Sequence, residues 1–252
     1  MREIPLPTFL IIGAQKSATQ WLRFNLGRHP EVFSAAGEPA FFNNGKHYEK
    51  FGLAWYRSQF AGWSGEPIIG ESTPGYMFWP HRPAEIADRI RTVLPDVQLI
   101  AILRNPVDRA QSALIHHIEM GALAPDANLL DLVRGTPPEH EPRGIVAGGW
   151  YAASLEPYLQ RFGDRLLVLI HNDAIRDPYR LYDHALRHVG AWGGFMPPDL
   201  EVYRHTNRQQ PSTAPNRAPL TTAEREELYS YFAEDIAKLQ LLIGRDLSVW
   251  DP

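Results

Sequence analysis

Residues 9–33 read FLIIGAQKSATQWLRFNLGRHPEVF. A short, wholly apolar run stops at Gly13 and passes almost at once into a helical pattern. An apolar run without alternation fits a strand covered on both faces, which is the environment of a parallel sheet sandwiched between helices. Further runs of this kind occupy 67–69, 97–103 and 166–170. Helical periodicity covers 19–26, 83–94, 107–120, 149–162, 178–189 and 221–243. Strands alternating with helices predict an α/β domain, a mainly parallel central sheet with helices on both faces. With 252 residues the expectation is one domain, 1–252. Ligands of such folds collect where the strands end, at their carboxyl edge.

Two stretches resist this pattern, 121–145 and 203–219. They contain GTPPEHEPRG and HTNRQQPSTAPNRAP, rich in turn formers and poor in apolar residues, and read as lid or loop segments. The formal charge of -4 argues against non-specific binding to nucleic acid or anionic membrane, so an anionic ligand must be gripped locally. The absence of cysteine removes disulfides, thiolate catalysis and thiolate metal sites. The opening MREIPLPTFLIIGAQKS carries an apolar run too short for a secretory signal, and no segment approaches membrane-spanning length. A cytoplasmic protein without membrane insertion is the expectation.

The turn after Gly13 is the first candidate site. A helix beginning near Ala18 directs several backbone N–H groups and its dipole at one point, and Lys16 adds a full positive charge there. Ser17, Thr19 and Gln20 supply further donors. GAQKSATQ does not satisfy the ATPase pattern G-x-x-x-x-G-K-[ST], so this is a phosphate loop of a different kind. An ordinary strand-turn-helix with an exposed lysine is the plain alternative.

The stretch LIAILRNPVDRAQSALIHHI repeats the theme, with Arg104 at the end of a strand, Pro106 opening a helix and Ser112 further along it. A guanidinium and a hydroxyl suit a terminal phosphate monoester. Two phosphate sites suggest a nucleotide phosphorylated at both ends. The competing arrangement pairs Arg104 with Asp108 and leaves Ser112 idle on the helix surface.

Taken together, FLIIGAQKSATQWLRFNLGRHPEVF, EPAFFNN, YRSQF, GESTPGYMF, LRNPVDRAQSAL and LIGRDLSVW, in that order, resemble the sulfotransferases that use 3'-phosphoadenosine 5'-phosphosulfate (PAPS). The branch they resemble is that of the heparan-sulfate-type N- and O-sulfotransferases and their bacterial relatives. This resemblance implies a P-loop-like three-layer domain. It implies that Gln15, Lys16, Ser17, Ala18, Thr19 and Gln20 bind the 5'-phosphosulfate, and that Arg104 and Ser112 hold the 3'-phosphate. Tyr151, in GGWYAASLEPYLQRF, falls near the donor. The late basic loop of the family corresponds to NRQQPSTAPNRAPL, which lacks Lys-Gly-Arg and offers Arg208 and Arg217 instead. Glu38, in GEPAFF, stands where the heparan-type enzymes keep a catalytic glutamate, and the resemblance makes it the general base. Lys16 then stabilises the departing 3',5'-bisphosphate, and His116 is a secondary catalytic candidate. No metal is required.

This chain departs from that pattern at Ser72, where many heparan-type enzymes carry lysine, and at Ala40, where some place a polar residue. With the negative net charge, these departures favour a small or neutral acceptor, such as a sugar, lipid or secondary-metabolite hydroxyl, over a long polyanion; it is free or carried on a protein. Trp55, Trp63, Tyr76, Trp79 and Trp150 are available to line an apolar acceptor pocket. A P-loop kinase and a non-catalytic nucleotide-binding relative remain as rival readings.

Overall fold

The computed structural model describes residues 3–78, 82–135, 143–192, 194–202 and 219–252. Arg208, Arg217 and Trp79 lie outside them, as does most of 203–219. The chain runs β1 (Phe9–Gly13), α1 (Thr19–Leu26), β2 (Val32–Ser34), a π-helical stretch (Lys46–Phe51), α2 (Gly52–Ser58) and β3 (Ile68–Ser72). It continues through α3 (Pro83–Val93), β4 (Gln98–Leu103), α4 (Pro106–Glu119), α5 (Leu129–Gly135), α6 (Tyr151–Phe162) and β5 (Leu166–Ile170). It closes with α7 (His171–Arg176), α8 (Pro178–His188), α9 (Thr222–Ser230) and α10 (Ala233–Ile243).

The five strands form one sheet in the order β2-β3-β1-β4-β5, with every pairing parallel. Alternate side chains of the central strands feed opposite faces. Leu10, Ile12, Leu99 and Ala101 join a core with residues of α3, α6 and α10, whereas Phe9, Ile11, Ile100 and Ile102 pack with α1 and α8. The three-layer architecture expected from the alternating pattern is therefore realised. All strands point the same way, so the ends of β1, β2, β3 and β4 open onto one edge. The chain leaves β1 toward β2 but leaves β4 toward β5, in opposite directions, and the crevice between two such departures is where ligands of open sheets bind.

Several local features differ from the pattern reading, which also left out the π-helical stretch, α2 and α7. Residues 121–145 include helix α5, whose seven residues are too few to display a period. The pattern over 221–243 is two helices, broken where Phe232 turns wholly into the core. Its ring lies where a Cβ on Gly149 would come within 2.7 Å, so that glycine lets α9 and α10 close against the start of α6. Strand β2, three residues at the sheet edge, is too short to announce itself.

Candidate active site

The cavity at the strand ends measures about 1060 Å³. It is lined by Lys16, Glu38, Arg104, Ser112 and His116, among others, so the two phosphate loops and the catalytic candidates meet in one space. Gln15, Ala18, Thr19 and Gln20 also face it. Ser17 and Tyr151 do not: both are fully buried beneath it.

The two helix starts at the donor end are built differently. Helix α1 begins at Ala18, which has no capping side chain, and its first turn contains no acidic residue. Its leading N–H groups therefore keep their capacity for an anion. Lys16 and Ala18 both adopt left-handed backbone, φ 66° and 73°, which coils the loop back over that helix start. Helix α4, by contrast, is capped by Asn105, whose side chain accepts from the N–H groups of Val107 and Asp108. Anion binding at this end falls to side chains, Arg104 and Ser112. Asp108 pairs with Arg225 of α9 at 2.8 Å, not with Arg104, so the competing Arg104–Asp108 arrangement does not form. The Arg104 guanidinium instead donates to the carbonyl of Lys16. Tyr151 donates its hydroxyl to the Arg104 carbonyl at 2.8 Å, which steadies the end of β4 from below.

Glu38 rides on the loop after β2. Partial burial, which penalises the charged form, raises the pKa of its carboxyl, and the charges of Arg23 and Lys16 pull in the opposite sense. The side chain is nevertheless accessible from the cavity, as a proton acceptor must be. Arg23, which the sequence pattern places only as a helix residue, bonds the Ala35 carbonyl at 2.9 Å and so ties α1 to the start of the Glu38 loop. His116 is held below its usual value, first by burial and then by Lys16 and His117, which favours the neutral imidazole. Lys16 thus acts electrostatically on both Glu38 and His116.

The described aromatic residues expected around an acceptor serve elsewhere. Trp55 packs on His47 at 4.3 Å, Trp63 bonds the Glu66 carbonyl, Trp150 bonds the Tyr231 carbonyl and Tyr76 bonds Glu71. The apolar wall comes from Trp21, Met77 and Phe78. Ser72 is buried in the sheet and does not line the cavity. Glu71, next to it, is a fully buried carboxylate that residue type alone would have placed at the surface. Among the described residues no group of acidic and histidine side chains is arranged to hold a metal ion. Nor, among them, is any helix long and apolar enough to cross a membrane.

Comparison with known proteins identifies the family. A family model described as the sulfotransferase domain matches residues 6–180. Heparan sulfate glucosamine 3-O-sulfotransferase 6 of Homo sapiens is 35% identical over 156 residues, which span 62% of this chain and 44% of that protein. Bifunctional heparan sulfate N-deacetylase/N-sulfotransferase 4 of Mus musculus is 27% identical over 280 residues, 97% of this chain and 31% of that protein. The chain thus spans less than half the length of these curated relatives. The crystal structure of a sulfotransferase from Alicyclobacillus acidocaldarius superposes with a TM-score of 0.79 at 27% identity, covering 98% of this chain and 100% of that one.

Proposed function

Because the chain belongs to the sulfotransferase domain family, we propose that it transfers the sulfuryl group of PAPS to a hydroxyl of a sugar or comparably small, neutral acceptor. The observation that carries this reading is the meeting of Lys16, Glu38, Arg104 and Ser112 in one cavity. The uncapped start of α1 with Lys16, Thr19 and Gln20 suits the 5'-phosphosulfate, while Arg104 and Ser112 suit the 3'-phosphate. The donor supplies an electrophilic sulfur and a bisphosphate leaving group.

The protein's own residues then have definable tasks. Glu38 accepts the proton of the acceptor hydroxyl as its oxygen bonds to sulfur. The bond from sulfur to the bridging oxygen breaks, and its electron pair leaves with the bisphosphate, whose added charge Lys16 offsets. His116, which lines the same cavity and is biased by burial toward the neutral imidazole, accepts a hydrogen bond there. Positioning and charge supply the catalysis, as in phosphoryl transfer.

The acceptor class rests on charge. Glu38, Asp108 and Glu119 line the cavity together with Lys16, Arg104, Arg109 and Arg143, so the wall is mixed in sign, whereas a polyanion calls for one continuous basic surface. The buried Ser72 adds no cation. The test is PAPS turnover with a panel of neutral sugars and other hydroxylated acceptors, without added metal, following 3',5'-bisphosphate release in wild type, Glu38→Gln and Lys16→Ala. Acceptor-dependent release that collapses in both variants supports the assignment. Failure to bind PAPS overturns it, and preference for a sulfated polysaccharide overturns the acceptor class.

A further inference from the structure

The fully buried Glu71, at the end of β3, receives three hydroxyl groups. Tyr76 and Tyr56 donate to Oε1 at 2.7 and 3.1 Å, and Thr73 donates to Oε2 at 2.8 Å. Two of these hydroxyls have a second partner. The Ala40 N–H donates to Thr73 Oγ1 at 3.2 Å, and the Phe41 N–H donates to the Tyr76 hydroxyl at 3.0 Å. Ala40 and Phe41 come after Glu38 on the same loop. Their N–H groups are thus bound not to other main chain but to two side chains whose protons are both committed to Glu71.

The direction of this relay is set by the carboxylate. An ionised carboxyl only accepts, so both hydroxyls must turn their protons inward and present lone pairs to the loop. An amide or a protonated acid at position 71 carries a proton of its own, reverses one hydroxyl and sets its hydrogen against a backbone N–H. The loop also needs holding, because Ala40 sits at φ 49°, in the left-handed region that alanine rarely enters. We propose that Glu71 is a positioning residue that, through Thr73 and Tyr76, fixes the loop carrying Glu38 over the acceptor. This inference rests on the reading of Glu38 as the base.

Its environment makes the clamp sensitive near neutrality. The groups facing the carboxyl are Tyr56 from α2, Tyr76 and Thr73 from the segment after β3, and Glu38 from the loop. From β1 its register partner is the apolar Leu10. Burial pushes Glu71 up to about 7, with the three hydrogen bonds opposing and the Glu38 charge adding to the rise.

The test uses the full chain as Glu71→Gln, Thr73→Val, Tyr76→Phe and Tyr56→Phe. Amide hydrogen exchange at Ala40 and Phe41 reports the clamp without any acceptor. Turnover with the accepted hydroxyl reports its effect on chemistry. E71Q is expected to speed exchange at both amides, and to lower kcat, by about tenfold or more with KM for PAPS within about twofold. Y56F removes the one hydroxyl that touches Glu71 but not the loop, and is expected to leave both readouts within about twofold. If E71Q does not fold, T73V and Y76F each remove a single link and carry the same expectation for Ala40 and Phe41 respectively. Wild-type exchange in E71Q, or Y56F losses matching those of Y76F, overturns the clamp. An E38Q variant that keeps full turnover instead overturns the base reading, with amide exchange still deciding whether Glu71 holds the loop.

Discussion

The Arg104 guanidinium lies 3.4 Å from the main-chain carbonyl of Lys16, so the cation ending β4 is bonded to the loop ending β1. The two halves of the proposed donor site are thereby linked. Replacing Arg104 by methionine keeps the length of the side chain and deletes its charge. Affinity for 3',5'-bisphosphate, read by calorimetry, is expected to fall about a hundredfold, about 2.7 kcal/mol. Adenosine 5'-phosphate, which has no 3'-phosphate, is expected to lose less than about fivefold. Equal losses for both nucleotides would place Arg104 elsewhere than at the 3' end.

Activity has a predictable acid limb. A base works only when deprotonated, so kcat/KM falls as pH drops through the Glu38 pKa. Because burial raises that pKa, the fall is expected to begin above the ordinary glutamate value of about 4.3. His116 is shifted downward, first by burial and then by the charge of Lys16. The residual activity of Glu38→Gln should keep only the fall that the Glu71 clamp imposes near 7 and be flat below it. A limb unchanged in that variant would assign the base to another group.

Stability carries its own pH signature. Glu71 titrates near 7 in the folded chain, above its value of about 4.3 when unfolded, so the native state binds the proton more tightly. Its contribution is fully present below the unfolded value and is lost as pH rises through about 7. The loss is on the order of 3 kcal/mol, and E71Q is expected to flatten it. Denaturant titrations of both proteins at pH 5 and 8 measure the difference, and parallel slopes would contradict the assignment.

Gly144 guards the acceptor wall. Its φ is +65°, and a Cβ there would lie 1.9 Å from the Phe78 ring, which lines the cavity. Gly144→Ala is expected to displace that ring, raising acceptor KM severalfold while donor affinity stays within about twofold, and to cost about 1 to 3 kcal/mol of stability. Calorimetry for the donor and steady-state kinetics for the acceptor separate the two effects.

Much of this arrangement was legible in the residues alone, and the boundary is physical. Strands buried on both faces cannot hide their composition, so the runs around Phe9, Leu99 and Leu169 marked the sheet. The glycine, proline and lysine punctuation marked both loops that border the cavity. Elements shorter than about two helical turns leave no period, which is why α5 and β2 escaped. Arg23 and Glu71 escaped for another reason: the role of a charged residue depends on neighbours far along the chain. Glu71 finds Tyr56 fifteen positions away, and Arg23 finds Ala35 twelve away. Trp55, Trp63 and Trp150 do not line the cavity because large aromatic rings suit a core as readily as a pocket.

The donor loops extend from β1 and β4, each flanked by a strand on both sides, whereas the loop bearing Glu38 springs from β2, a three-residue strand at the sheet margin. A marginal strand has one neighbour to satisfy and so tolerates remodelling better than an interior one. On the proposed reading, a change of acceptor calls for remodelling the segment beyond β2, and the loops after β1 and β4 need not change with it. In such a scaffold the acceptor is the replaceable part.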